Sequence, residues 1–222
     1  GPMVGRPTCQ ILPPNFPGYA PFCRYTAHAG RTTQWLAPDM ARARQLIKMS
    51  GTGGSHVTVW SDGPGLFLGM RYVVSLLRQL GYRTSLRVIE DGNRMVELAG
   101  DSRNKAQVVG IDGWLGDYPA GSDFFEPNFS CDAFVPKSQS NSNLSEFCSP
   151  RIDSQMRHAA TLQATHPRSA ARLWASIDRQ VVDEAPAVPL FTQNLVQLVS
   201  ARVRNYTTNP SWGLLIDQLW VR

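Results

Sequence analysis

Cysteine, histidine and serine are the residues whose type and spacing most often mark a chemical site, so they come first. The four cysteines fall as two local pairs, Cys9 with Cys23 and Cys131 with Cys148, each in Pro-, Ser- and Asn-rich sequence. Neither pair has the CxxC spacing of a zinc knuckle or a redox motif. An even number of cysteines in loop-like sequence favours two disulfides formed in an oxidising compartment, each contributing about 3 kcal/mol by closing a short loop. The alternative is four unrelated buried thiols. His28, His56, His158 and His166 show no HxxxH pattern and no accompanying Cys or Glu arrangement, so no metal site is expected. No GxSxG motif, no local Ser-His-Asp signature and no glycosidase-like carboxylate pair stands out, so no catalytic residue is assigned and the chain reads as a non-enzyme without a cofactor. Gly51-Thr52-Gly53-Gly54 lacks the Gly-Lys-Ser/Thr of a phosphate loop and serves more simply as a helix stop.

What remains is an acidic and aromatic cluster, Gly113-Trp114-Leu115-Gly116-Asp117-Tyr118-Pro119. Trp114 and Tyr118 flank the Asp117 carboxylate and could supply flat apolar walls or a cation-binding face. The competing reading has Trp114 packed in the core and Asp117 capping the helix near Asp123 or bonding its own backbone.

The elements that must position this cluster follow from periodicity. Pro38 and Asp39 open a helical pattern through Met40, Ala43, Leu46 and Ile47 that stops at Gly51. His56 to Trp60 reads as a strand. Leu66 to Leu80 reads as a helix with Leu66, Met70, Val73, Leu77 and Leu80 on one face, and Ser85 to Ile89 as a second strand. This strand, helix, strand unit implies a right-handed parallel crossover. Residues 93–105 are ambiguous. Gln107 to Ile111 forms a third strand that runs into the Trp114–Tyr118 loop, and the chain end of such a strand is where an open α/β sheet presents ligand-binding loops. Helices are expected at Arg151 to Thr161 and from Arg168 to about Asp183, followed by alternating short strands to Val221.

With 222 residues and 42% hydrophobic content the chain can bury a large core. Its net charge is +5, but the basic residues are scattered singly along the sequence, which argues against a nucleic-acid partner. No run of about 20 apolar residues occurs, no signal peptide precedes Cys9, and the opening Gly1-Pro2-Met3 looks like a cleavage scar, so the natural protein is expected to extend upstream.

Taken in order, these motifs resemble the family 5 extracellular solute-binding proteins, which include the oligopeptide- and dipeptide-binding proteins of ABC importers. The Gly113–Pro119 run followed by Phe124 and Phe125 is similar to the family's GWxxDYPDPxxF loop, although Ala120 and Gly121 replace its acidic and proline pair. Asn141 to Phe147 leading to Pro150 and Asp153 resembles the next motif, Ala185-Pro186-Ala187-Val188-Pro189-Leu190 resembles the late AxxxPL segment, and Trp212 to Trp220 resembles the terminal strands. The Cys9–Cys23 stretch is similar to the hinge region of actinobacterial members. The resemblance implies a type II periplasmic-binding-protein-like α/β lobe, a central sheet with flanking helices plus C-terminal short strands. Residues 1–36 would then be a scar and a stapled hinge segment, 37–186 the second lobe, and 187–222 strands returning toward an absent first lobe. It further implies that Asp117 pairs with a peptide's α-amino group, with Trp114 and Tyr118 beside it. The implied partners are a peptide or other small solute, the first lobe of the same protein and an ABC permease, in an extracytoplasmic, membrane-anchored setting. An extracytoplasmic sensor domain of a membrane-anchored regulatory or signalling protein built on the same fold is the alternative.

Overall fold

The computed structural model describes residues 5–63, 67–111, 113–209 and 213–222. Gly1-Pro2-Met3, Leu66 and Trp212, used above, lie outside them. In chain order the elements are β1 (Gly5–Pro7), α1 (Met40–Ser50), β2 (His56–Asp62), α2 (Phe67–Gln79), β3 (Arg83–Ile89), α3 (Gly92–Gly100), β4 (Val108–Gly110), α4 (Gly121–Phe129), α5 (Pro150–Gln163), α6 (Pro167–Glu184), β5 (Phe191–Gln193), β6 (Val203–Arg204), β7 (Thr208–Asn209), β8 (Gly213–Leu214) and β9 (Trp220–Val221). Short 3-10 turns add Ser102–Asn104, Cys131–Ala133 and Ile216–Gln218.

Side chains of opposite parity on β2 explain the layered half of the fold, because successive residues of a strand point to opposite faces. Val59 packs with Met70 and Val74 of α2, while Trp60 packs with Met95 and Ala99 of α3. Strand order is β3-β2-β4, all parallel, with Val59 opposite Leu86 on one side and Val108 on the other. The β2–α2–β3 unit is the expected crossover. Residues 93–105, ambiguous in sequence, divide between α3, capped by the Asp91 side chain, and the Ser102–Asn104 turn.

A second core is helical. Phe124, Phe125 and Phe129 of α4 meet Ile152 and Met156 of α5 and Trp174, Ile177 and Val181 of α6, with Leu12 and Phe16 inserted from the N-terminal segment. Phe125 stacks on Trp174 with ring centroids 5.7 Å apart. Helix α4 is the helix near Asp123 that entered the sequence reading only through the capping alternative, and Gly121 and Pro127 both argue against it locally. Packing overrides propensity here. A Cβ on Gly121 would lie 2.5 Å from the Trp174 ring, so the residue that replaces the resembled family's proline is the one that lets α4 approach α6. Gly121→Ala should therefore cost about 1 to 3 kcal/mol by overpacking. Urea unfolding that leaves the midpoint unchanged would refute this contact.

Both cysteine pairs are bridged, Cys9 to Cys23 and Cys131 to Cys148, with Cα separations of 4.9 and 4.3 Å. The second bridge closes a loop that is also pinned from inside. Asn143 donates to the Ser130 and Phe147 carbonyls, and Asn141 to those of Gly100, Val135 and Ser138. The late strands are short: β5 pairs antiparallel with β1, β6 with β9, and β7 with β8. Val188, Leu195, Val196, Leu198 and Trp220 in this region are exposed.

Candidate functional site

Because β2, β3 and β4 are parallel, the 113–119 loop leaves the same sheet end as the turns after β2 and β3. Residue Gly113 turns the chain there with φ +109°, a backbone region that costs a non-glycine residue dearly. Two buried groups then hold the loop from behind. The Phe16 ring lies against Gly116, where no Cβ could fit, and stacks edge-on with Phe124 at 4.8 Å. The Asp117 backbone N–H donates to Asp123 Oδ2 at 2.9 Å.

This arrangement reverses one sequence-based alternative. Asp117 does not cap α4, whose first position follows Ala120 with no side-chain cap. Asp123 of α4 instead accepts from the Asp117 backbone. The Asp117 carboxylate is left exposed, with no hydrogen-bond or ion-pair partner among the described residues. Tyr118 is 46% exposed beside it. Trp114 is half-buried and packs against the helical core, and its buried indole N–H lies near the Asp123 carboxylate without closing a hydrogen bond of full geometry. The loop thus presents Asp117 and Tyr118 to solvent and turns Trp114 inward.

Asp123 is only 3% exposed. Burial pushes its carboxyl above the usual range, the nearby Asp117 charge adds to that, and the Asp117 backbone N–H and the Trp114 indole oppose it. A second buried carboxylate, Asp178 of α6, accepts from the Ile11 and Leu12 backbone N–H groups at 3.0 and 3.3 Å and from Gln10 Nε2 at 3.1 Å. Burial raises it to about 6 despite these donors. Asp178 therefore ties the segment that carries Phe16 to the helical core. Neither Asp123, Phe16 nor Asp178 was singled out from sequence. The available signal for Asp178 was an acid placed on the apolar stripe of Ala170, Trp174, Ile177 and Val181. Among the described residues no group of His, Cys, Asp and Glu could hold a metal ion.

Comparison with known proteins gives the architecture a parent. The chain is 25% identical over 216 residues to di/tripeptide-binding protein 4 of Pseudomonas aeruginosa, covering 95% of this chain and 37% of that protein. Its coordinates superpose on a solved clavulanic acid biosynthesis oligopeptide binding protein 2 with a TM-score of 0.80, covering 100% of this chain and 40% of that one at 20% identity. The fold is that of the solute-binding proteins. The ABC transporter-associated periplasmic binding protein DppA from Helicobacter pylori, solved with the peptide STSA, shares it at TM-score 0.72 and 17% identity, covering 98% of this chain and 39% of that one. No protein-family model matches the chain. The chain spans little more than a third of the length of the curated relative above. Those relatives are named for the solutes they bind and not for a reaction.

Proposed function

We propose that this chain is the second lobe of a family 5 peptide-binding protein that hands its ligand to an ABC importer. The observation that carries the reading is the exposed, unpaired Asp117 carboxylate at the mouth of the sheet, on a loop fixed from behind by Asp123 and Phe16. A carboxylate held in this way can pair with the α-ammonium of a short peptide, while Tyr118 offers a flat wall and Trp114 braces the loop. The di/tripeptide-binding relative supports a ligand of that class.

The cleft in this reading has two walls, and this chain supplies one. Hinge closure against the first lobe would exclude water from the Asp117 pair, and the same lobe would cover the exposed apolar residues of 187–222. The protein would work outside the cytoplasm, where both disulfides persist.

Calorimetry on the two-lobed protein with a free dipeptide and its N-acetylated form tests the anchor. Acetylation removes the ammonium and should weaken binding by at least about tenfold, which is 1.4 kcal/mol. Equal affinities would mean that Asp117 does not read the amino group.

A further inference from the structure

Helix α1 is unlike the other long helices in that it buries none of its residues. Met40, Ala43 and Ile47 are half-buried and turn toward the chain. Arg44 and Lys48 flank that stripe on one side, with Arg42, Leu46 and Met49 on the outer side. Leu46 is 43% and Met49 73% exposed, and Trp35 and Leu36 are exposed just before the helix. The helix contains no acidic residue. An 11-residue helix is marginal on intrinsic propensity alone, so an outer face of this composition has use for a surface to lie on.

The fold extends the basic character beyond α1. With its Asp39 cap included, the stretch 39–91 carries seven of the 22 basic side chains and four of the 17 acidic ones, a net +3 of the chain's +5. The loop after α1 is bonded to the turn after α2: the Gly54 N–H donates to Gly81, Arg83 Nε donates to Gly54, and the Thr52 and Tyr82 hydroxyls lie 2.6 Å apart. This brings Lys48, Arg78 and Arg83, all exposed, to the end of the sheet opposite the 113–119 loop.

We propose that α1 and the adjoining turn form a docking face for an anionic lipid surface. Basic side chains interleaved with exposed Met, Leu and Trp suit the headgroup layer, where charge draws the helix down and the apolar tips enter the acyl boundary. An acidic protein would match the charge but leave the apolar tips without a stated partner, and no described helix is long and apolar enough to cross the membrane instead. The adjoining turn lies at the sheet end opposite the candidate ligand loop, so contact there would leave the mouth open. The inference is independent of the peptide reading.

Co-sedimentation of this chain with vesicles of equal parts phosphatidylglycerol and phosphatidylcholine tests it. We expect binding at about 0.05 M salt that is lost near 0.5 M, and none to phosphatidylcholine alone. Replacing Arg42, Arg44 and Lys48 together by Gln should weaken partitioning roughly 100-fold, from about fivefold per basic side chain. These side chains are exposed, so circular dichroism should be unchanged. Replacing Arg157, Arg168 and Arg172 on α5 and α6 by Gln removes the same charge elsewhere and should change binding little. Met49→Ser should weaken it at constant charge. No binding to the anionic vesicles, an equal loss in both triple variants, or indifference to Met49→Ser would overturn the proposal, the last two by reducing it to net charge.

Discussion

Asp178→Ala should lower the unfolding free energy by about 3 kcal/mol, because it strips the acceptor from three donors that have no other place to go. The Ile11 and Leu12 N–H groups and Gln10 Nε2 all converge on this carboxylate, and Gln10 and Leu12 are buried. Alanine leaves them unpaired in the interior, where each costs on the order of 1 to 3 kcal/mol, partly offset by no longer burying a charge. The N-terminal segment that carries Phe16 should then exchange its amide protons faster than α6 does. The pH dependence gives a second signature. Burial raises the Asp178 carboxyl to about 6 in the folded protein, so the native state holds a proton that the unfolded chain has already released. Its contribution to stability is full below about pH 4 and is lost as pH rises through about 6, by up to roughly 3 kcal/mol. Asp178→Asn cannot titrate, so the stability difference between wild type and this variant should change across that window and be flat above it. A difference independent of pH between 4 and 7 would show that Asp178 titrates like an exposed carboxylate.

The parts of this fold that were legible in the sequence are those where local pattern and tertiary packing agree. The β2–α2–β3 unit announced itself because Met70, Val73 and Leu77 repeat at helical spacing between two strand-like runs, and the structure packs all three into the cluster that holds Val59 of β2. Helix α1, which buries none of its residues, was legible from its ends alone, with Asp39 capping its start by accepting from Arg42 and Gly51 ending it at φ 68°. Helix α4 was not. Its Gly121 and Pro127 argue locally against a helix, and what selects one is the stack of Phe125 on Trp174, a contact between residues 49 positions apart. The same division runs through the candidate site. Trp114, Asp117 and Tyr118 are neighbours in sequence and could be read together. Asp123 holds that loop through a hydrogen bond from a backbone N–H six residues earlier, which no side-chain pattern marks, and Phe16 through a ring contact across the chain, which no local spacing encodes.

Under the function proposed above, in which a first lobe closes on this chain, that supporting pair determines what Asp117 can do. Its backbone is fixed on Asp123, so its carboxylate need not be ordered again when a ligand arrives, and binding energy is not spent on the loop. The strength of the ion pair depends on water. In this chain the carboxylate is exposed, and a pair formed there contributes roughly 0 to 1 kcal/mol, so this chain alone should bind short peptides no better than about millimolar. Closure of the first lobe would move the same pair into a site of low dielectric, where its partners attract more strongly and where an ammonium without a counter-charge is costly. Asp117→Asn in the full-length protein should accordingly weaken peptide binding by about 2 to 5 kcal/mol. The N-acetylated peptide should lose little on the same substitution, because it has no ammonium to strand. Calorimetry across the two proteins and two ligands reads the coupling directly. If the substitution weakens both ligands equally, Asp117 shapes the loop without pairing with the amine, and if it weakens neither, the ligand mouth lies elsewhere. Micromolar binding of free peptide by this chain alone would overturn the dependence on a second wall.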